Sequence, residues 1–176
     1  MLVLEKEYSF SYKEALSAAM QELAADPRTV FLGQGVREKG TFMSTTLTEV
    51  PLEKRIELPV AEEMQMGMSI GFALAGFVPV TIYPRFNFIL LAMNQLVNHL
   101  DKMKPHVIVR VGVGSTKPLD PGPQHIGNFS EAFRLLMPDT TIVELNHAEQ
   151  VIPEYCAALR RNGPTLLVEI ADLYEN

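Results

Sequence analysis

Short apolar runs alternate with segments of helical periodicity along most of the chain. The runs lack polar alternation, which is typical of parallel strands covered on both faces. They predict strands at residues 30–33, 55–58, 78–83, 106–111, 141–144 and 165–170. The intervening segments predict helices at residues 11–25, 62–76, 88–102 and 148–161, with a further helix that ends at residue 136. This order indicates an α/β fold in which a doubly wound, mostly parallel sheet carries helices on both faces.

The predicted helix at residues 62–76 is apolar at nearly every position beyond its first turn. Such a helix is expected to be buried on most sides. Gly67 and Gly71 lie on one face, where another backbone can approach closely, and packing must offset their low helix propensity. Glu62 and Glu63 occupy the first turn. A carboxylate there either simply complements the helix dipole or is a catalytic candidate at the mouth of a buried element.

A loop rich in glycine and proline spans residues 112–125 and ends at Gln124-His125, shortly before a helix that Asn128 or Ser130 can cap. Loops at the carboxyl ends of strands are where α/β folds place ligands. His125 is therefore a candidate catalytic residue, with a structural histidine as the alternative. The start of the loop, Gly112-Val113-Gly114-Ser115-Thr116-Lys117, lacks both the third glycine of a dinucleotide fingerprint and a Walker-type Gly-Lys-Ser/Thr. Phosphate binding by this loop is not expected.

Composition favours one domain over residues 1–176 and argues against several classes of protein. The hydrophobic content of 47% suffices for a sizeable core, and a net charge of −6 argues against sequence-independent binding to nucleic acid. The single cysteine excludes an internal disulfide. The N-terminus does not have the pattern of a signal peptide, and no apolar run is long enough to cross a bilayer. A cytoplasmic domain is expected.

The chain carries few side chains arranged for metal binding or nucleophilic catalysis. No pair among its four histidines has metal-ligand spacing, so this chain alone is not expected to hold a metal. The nucleophile-elbow motif is absent, and no Cys-His or Ser-His-Asp signature supports hydrolytic chemistry.

Four motifs in order resemble a known family. They are Pro59-Val60-Ala61-Glu62 with the glycine-containing helix, Ala75-Gly76-Phe77-Val78-Pro79-Val80, Arg85-Phe86-Asn87-Phe88 followed by Asn94-Gln95-Leu96-Val97-Asn98, and Gln124-His125. Together they resemble the pyrimidine-binding domain of thiamine diphosphate enzymes. The pattern is most similar to the β subunit of the 2-oxo acid dehydrogenase E1 component, with transketolase next. The match runs from about residue 12 to about residue 169.

The resemblance implies roles for particular residues. Glu62 would hydrogen-bond N1′ of the cofactor's aminopyrimidine; the spacing to Gly71 selects it over Glu63. Phe88, with Phe86 as the alternate, would pack against the pyrimidine ring. His125 would face the substrate and stabilise or protonate intermediates.

Two departures from the family pattern imply a partner. The family's β subunit continues into a further C-terminal domain, whereas this sequence ends at Asn176, and the Gly-Asp-Gly…Asn motif for diphosphate and metal is absent. A separate subunit is therefore expected to hold Mg²⁺ and the diphosphate of thiamine diphosphate. A heterotetramer of two plus two chains is expected, since two-fold pairing is the commonest symmetry. The substrate would be a small carbonyl compound, without a nucleic-acid or membrane partner.

Three functions remain open on this basis. The first is 2-oxo acid decarboxylation with acyl or aldehyde transfer, performed by a split enzyme. The second is a transketolase-type or other carboligating ketol transfer. The third is a non-catalytic assembly or regulatory domain that keeps the fold.

Overall fold

A six-stranded parallel sheet forms the centre of the protein. The computed structural model describes residues 10–38, 40–116 and 120–175. The strands are β1 (Thr29–Gly33), β2 (Arg55–Glu57), β3 (Val78–Tyr83), β4 (Ile108–Val113), β5 (Thr141–Leu145) and β6 (Thr165–Ile170). Their order in the sheet is β2-β1-β3-β4-β6-β5, and all five pairings are parallel. The predicted α/β class and parallel sheet are confirmed.

Helices cover both faces of the sheet and create two apolar cores. They are α1 (Tyr12–Ala25), α2 (Glu62–Leu74), α3 (Phe86–Ile89), α4 (Asp101–Met103), α5 (Ser130–Leu136) and α6 (Ala148–Arg160). One core packs α1 and α6 against the sheet, and the other packs α2, α3 and α5. Every residue of β3 is buried, which explains why this strand is a continuous apolar run with one threonine. Among the described residues, no helix has both the length and the apolar character that a bilayer crossing requires.

The strand order reverses between β1 and β3. From β1 the chain proceeds to β2 on one side, then returns to β3 on the other side and continues outward to β4. In open α/β sheets such a reversal leaves a crevice beyond the carboxyl ends of the two central strands, where ligands bind. Gln34 directly follows β1, and Pro84 and Arg85 directly follow β3. These residues are therefore candidates for contact with a ligand.

Helix α2 is buried on one face only. Gln65 fixes that face to β3, because its Nε2 donates to Thr81 Oγ1 and to the Ile82 carbonyl, both at 2.9 Å. On the other side Met64 is 42% exposed and Leu74 64% exposed. The sequence predicts that α2 is buried on most sides. This prediction is wrong for the described chain, because no other described segment covers the face of α2 that carries Met64 and Leu74.

The chain from Phe86 to Met103 is helical but irregular, whereas the sequence predicts one plain helix at residues 88–102. After α3 it passes through a 3₁₀ turn (Leu90–Ala92) and a π-helical stretch (Gln95–Leu100) before α4. Asp101 anchors the far end, since its carboxylate accepts from the Asp139 backbone N at 2.9 Å and from Thr140 Oγ1 at 3.0 Å. π-helical turns inside helices occur frequently at functional sites.

Strand β4 extends further than expected and shortens the predicted loop at residues 112–125. Gly112 and Val113 still pair with β6. At the next helix, the Asn128 side-chain oxygen accepts from the Ser130 backbone N at 3.0 Å and from the Ser130 hydroxyl at 2.6 Å. Asn128 thus satisfies the first N–H of α5, although the N-cap position itself is Phe129 rather than Asn128 or Ser130, the two candidates from the sequence.

A buried ion pair joins β4 to β6. Arg110 and Glu169 are both fully buried and bonded through two guanidinium nitrogens. The same guanidinium donates to Thr46 Oγ1 at 2.8 Å, and the hydroxyls of Tyr155 and Tyr174 donate to the carboxylate. Removing one member of such a pair would leave an uncompensated buried charge, at a cost of about 3–5 kcal/mol. The network therefore ties the sheet to α6 and to the C-terminal 3₁₀ turn (Ala171–Glu175).

Candidate active site

Glu62 is a buried carboxylate at the start of α2. The residue is only 5% exposed, and its nearest described hydrogen-bond partner is Gln34 Nε2, at a long 3.5 Å from Oε1. The backbone is held more firmly, since Tyr83 at the end of β3 donates its hydroxyl to the Glu62 carbonyl at 3.2 Å. Burial raises the pKa of Tyr83, and the neighbouring Glu62 carboxylate raises it further. Glu62 is thus fixed in place while its carboxylate has little hydrogen bonding from this chain.

Glu63 lies in a different environment from Glu62. It is exposed, and its Oε1 accepts from Gln95 Nε2 at 2.9 Å, which links the start of α2 to the π-helical stretch. The two neighbouring carboxylates therefore differ: Glu62 is buried with one long contact, whereas Glu63 is solvated and paired.

A cavity of about 610 Å³ opens at the start of α2. Its lining is Ala61, Glu62, Glu63, Met64, Gly67, Leu91 and Gln95. This volume falls in the range of small-molecule sites. The cavity therefore lies where Glu62 at the start of α2 meets the exposed Gly67.

His125 and Phe88 are brought together by the fold. Their ring centroids are 5.5 Å apart with the rings nearly perpendicular. The His125 Nδ1 is buried without a hydrogen-bond partner among the described residues, and the His125 backbone N closes a turn on the Gly122 carbonyl at 3.0 Å. A buried polar atom without a partner requires an explanation, and an absent ligand is one. Within the described residues, no hydrogen bond links this pair to Glu62.

Phe86, the alternate for the aromatic position, lies inside a core. It is fully buried, with its ring 5.5 Å from that of Phe129 and 5.0 Å from that of Phe133. Its surface is occupied by its own chain, so Phe88 is the better placed of the two phenylalanines.

Three polar residues at this edge receive no site role from the sequence, although two of them lie within the four sequence motifs. Gln34 follows β1 and approaches Glu62, Gln95 lines the cavity, and Arg85 follows β3. Within the part of the chain that the structure describes, Gln95 Oε1 and Arg85 Nη1 are both buried without a hydrogen-bond partner. The available signal for Arg85 was a charged residue two positions beyond a buried, mostly apolar strand, at the end of the strand where α/β folds bind ligands.

Metal ligands are not clustered in the part of the chain that the structure describes. No group of three or more histidine, cysteine, aspartate or glutamate side chains there is arranged to hold an ion. The titratable groups at the edge are a carboxylate, an imidazole and a guanidinium, which suit hydrogen bonding to an organic ligand.

An open parallel sheet with these groups beyond its carboxyl edge defines a ligand-binding α/β protein of the doubly wound class. The sequence matches the family described as "Transketolase, pyrimidine binding domain" over residues 8–175, and the chain belongs to that family. The resemblance identified from the four sequence motifs is therefore confirmed.

Curated relatives and a solved structure agree with this assignment. The chain is 26% identical over 174 residues to the pyruvate dehydrogenase E1 component subunit beta of Rickettsia bellii, covering 92% of this chain and 53% of that protein. It is 34% identical over 98 residues to the 2-oxoisovalerate dehydrogenase subunit beta of Bacillus subtilis, covering 53% of this chain and 30% of that protein. A structure described as "Split gene transketolase, inactive beta4 tetramer" matches with a TM-score of 0.73 at 19% identity, over 91% of this chain and 51% of that one. The structural likeness shows the fold. The Rickettsia bellii protein and the split transketolase chain each match more than nine-tenths of the present chain, which spans about half of the length of either protein.

Proposed function

We propose that this chain supplies the aminopyrimidine-binding half of the active site of a thiamine diphosphate-dependent enzyme. The enzyme would cleave a bond next to a carbonyl group, as in 2-oxo acid decarboxylation with acyl or aldehyde transfer. The observation that carries the proposal is the buried Glu62 carboxylate, whose only described contact is long, in a chain of the pyrimidine-binding family.

The residues at the edge fit the pyrimidine half of this cofactor. A carboxylate with unused acceptor capacity suits a protonated ring nitrogen, and an aromatic side chain suits a planar ring. When bound, thiamine diphosphate supplies an electron sink for the carbanion that forms when the bond next to the carbonyl breaks. Glu62 would accept a hydrogen bond from N1′ of the pyrimidine and share its proton, while Phe88 would pack against the ring.

His125 would act on the substrate side of the site. Its Nδ1 has no partner in the described chain, and its ring lies against that of Phe88. An imidazole has one ring nitrogen that can donate a hydrogen bond and one that can accept, so it can serve as a general acid or a general base. In this proposal His125 protonates or stabilises the negative charge that develops on substrate oxygen.

A partner subunit would complete the site and make the enzyme active. The sequence lacks the Gly-Asp-Gly…Asn motif, so the diphosphate and its Mg²⁺ are assigned to another chain. The open face of α2 would pack against a second subunit, because an exposed face with two glycines and apolar neighbours favours close helix contact. We propose a cytoplasmic heterotetramer of two plus two chains.

A transketolase-type ketol transfer is the second candidate. Its support is the likeness in fold to the split gene transketolase structure, of whose chain the present chain covers about half. That structure is described as an inactive β4 tetramer, so a non-catalytic assembly role for the present chain is the third outcome.

Reconstitution with a chain that carries the Gly-Asp-Gly…Asn motif tests the proposal. The co-purified complex would be given thiamine diphosphate and Mg²⁺, then assayed for carbon dioxide release from 2-oxo acids and for ketose cleavage. Carbon dioxide release that needs both chains supports the first function, and ketose cleavage supports the second. A stable complex that binds the cofactor but turns over neither class of substrate would favour the assembly role.

A further inference from the structure

Arg85 is a partly buried cation that lacks an anionic partner in the described chain. It follows β3 at the reversal of strand order, where ligands are expected. Within residues 10–38, 40–116 and 120–175, no hydrogen bond or ion pair is made by its guanidinium, and Nη1 is buried. Its one described interaction is with the ring of Phe42, 5.2 Å from the guanidinium carbon.

Two glycines of the β4 end keep space for this guanidinium. A Cβ at Gly114 would lie 2.8 Å from Arg85 Nη1 and 2.2 Å from the His125 carbonyl oxygen. A Cβ at Gly112 would lie 2.5 Å from the Phe42 ring on which the guanidinium rests. A side chain at Gly112 would collide with the Phe42 ring, and a side chain at Gly114 would collide with the Arg85 guanidinium. Glycine at these two positions therefore leaves room for Arg85 and Phe42.

The position of Arg85 is costly without a ligand. Burial lowers the pKa of Arg85, which reflects the loss of water around a charge that no described carboxylate compensates. A guanidinium offers a planar fork of donors that fits carboxylate and phosphate oxygens. An entering anion would therefore satisfy donors that the protein leaves unused.

Arg85 also lies beside the Phe88–His125 pair. Its carbonyl accepts from the Phe88 backbone N at 3.1 Å, so the two residues share one turn at the start of α3. The Nη1 and the His125 carbonyl both lie within 3 Å of the position that a Gly114 Cβ would take. An anion on Arg85 would consequently lie beside the segment that carries His125, the residue that we assign to the substrate side.

We propose that Arg85 binds an anionic group, a carboxylate or a phosphate monoester, on the reactant that enters this site. The inference rests on the proposed function and deepens it, because it assigns reactant selection to a residue of this chain. A reactant without a carboxylate or phosphate would not form hydrogen bonds with the Arg85 guanidinium, so it would bind more weakly.

Arginine side-chain NMR on the full chain tests this directly. The Arg85 Nε–Hε signal would be assigned by its absence in Arg85→Gln, and wild-type protein titrated with inorganic phosphate or acetate at constant ionic strength. We expect a saturable shift of the Arg85 signal with at least one of the two anions. A stronger response to phosphate indicates a phosphate monoester, and a stronger response to acetate indicates a carboxylate.

Two variants provide the controls. Arg85→Lys keeps the charge without the fork and is expected to weaken binding about tenfold. Arg160→Gln removes an exposed charge from the last turn of α6 and should leave the titration unchanged. No shift with either anion, or parallel shifts of all arginine signals with one midpoint, would overturn the proposal. The titration needs neither cofactor nor turnover, so its failure is distinguishable from failure of the proposed function.

Discussion

At the scale of single residues, the start of α2 gives two adjacent glutamates different environments. Glu62 is held inward, where its carboxylate has one long contact to Gln34, whereas Glu63 faces solvent and pairs with Gln95. The helical turn produces this difference, because successive residues point about 100° apart around the axis. Sequence spacing favours Glu62 over Glu63, and the burial of Glu62 is consistent with that choice.

Replacing each glutamate separately tests the assignment. In the reconstituted complex, Glu62→Gln is expected to lower kcat by roughly 10²–10⁴-fold, because the amide keeps the shape but cannot share a proton with N1′. Glu63→Gln should leave kcat nearly unchanged. Steady-state kinetics with size-exclusion chromatography checks both activity and assembly. A severe loss in Glu63→Gln with a mild effect in Glu62→Gln would shift the assignment to Glu63.

His125 is expected to affect turnover more than cofactor binding. In the complex, His125→Ala should lower kcat about 10²-fold, the usual scale for removing a general acid or base. Thiamine diphosphate affinity, measured by calorimetry, should change much less. His99→Ala is the matched control, since His99 is exposed on the π-helical stretch. Unchanged kcat together with lowered thermal stability would indicate a structural histidine.

The residues that the sequence did not reveal depend on contacts between distant segments. Arg110 and Glu169 are opposite charges in two apolar strands, but their pairing requires the β4–β6 register, which periodicity cannot provide. The position of Arg85 after β3 is visible in the sequence, but that its buried Nη1 finds no hydrogen-bond partner among the described residues is visible only in the structure. Glu62, Phe88 and His125 could be proposed from motif order and loop position, and their roles stay predictions.

At the scale of elements, α2 combines a packed face and an open face. Nothing lies within 4 Å of the position that a Cβ would take at Gly67 or Gly71, so the close backbone contact expected there is not made within the described chain. Sequence composition showed that the helix is apolar, but it could not show whether this chain or another covers it.

Alanine at these glycines separates chain stability from assembly. Gly67→Ala and Gly71→Ala should each stabilise the isolated chain by about 0.5–1 kcal/mol, because alanine favours the helix and meets no atom. Both should weaken assembly with the partner, where the added methyl would separate the helices. Urea unfolding and analytical ultracentrifugation measure the two effects. Unaltered assembly in the double variant would place the subunit interface elsewhere.

The acid dependence of stability should report on Asp101. Burial alone would raise the pKa of Asp101, but hydrogen bonds from Lys102, Thr140 and the Asp139 backbone outweigh it and lower the pKa below its usual value. Stability from a group with a lowered folded-state pKa is present above the unfolded-state pKa and disappears as pH falls through the folded value.

Asp101→Asn is therefore expected to cost about 1–3 kcal/mol at pH 7. The difference from wild type should shrink as pH falls below about 4. Urea unfolding across this pH range checks both statements. Asp139→Asn, at a half-exposed ion pair with Lys104, is the control and should cost less. Equal stability of Asp101→Asn and wild type at pH 7 would contradict the role of this anchor.

Strands were easier to predict than helices. Each of the six predicted runs corresponds to a strand within two residues, because apolar runs bounded by turn residues define buried parallel strands. The irregular helix between Phe86 and Met103 was not predictable to the same degree. Its π-helical stretch is not encoded by periodicity, since it depends on how the segment packs on α2 and the sheet.

At the scale of the whole molecule, we propose that the described chain offers one side of a cofactor site. It carries the buried carboxylate, the aromatic–imidazole pair and a cation, and the described residues contain no metal-binding cluster. The family assignment and the relatives named as E1 component beta subunits support a role within a larger assembly. The open face of α2 is the surface that we expect a partner to cover.

Calorimetric titration of thiamine diphosphate with Mg²⁺ is the most direct test of this split site. Three samples are compared: this chain alone, the partner that carries the Gly-Asp-Gly…Asn motif alone, and the co-purified complex. We expect saturable binding with one cofactor per copy of this chain in the complex, and none by this chain alone at up to about 1 mM cofactor. Tight binding by the isolated chain, or a complex that does not bind the cofactor, would contradict the proposal that this chain supplies half of the site.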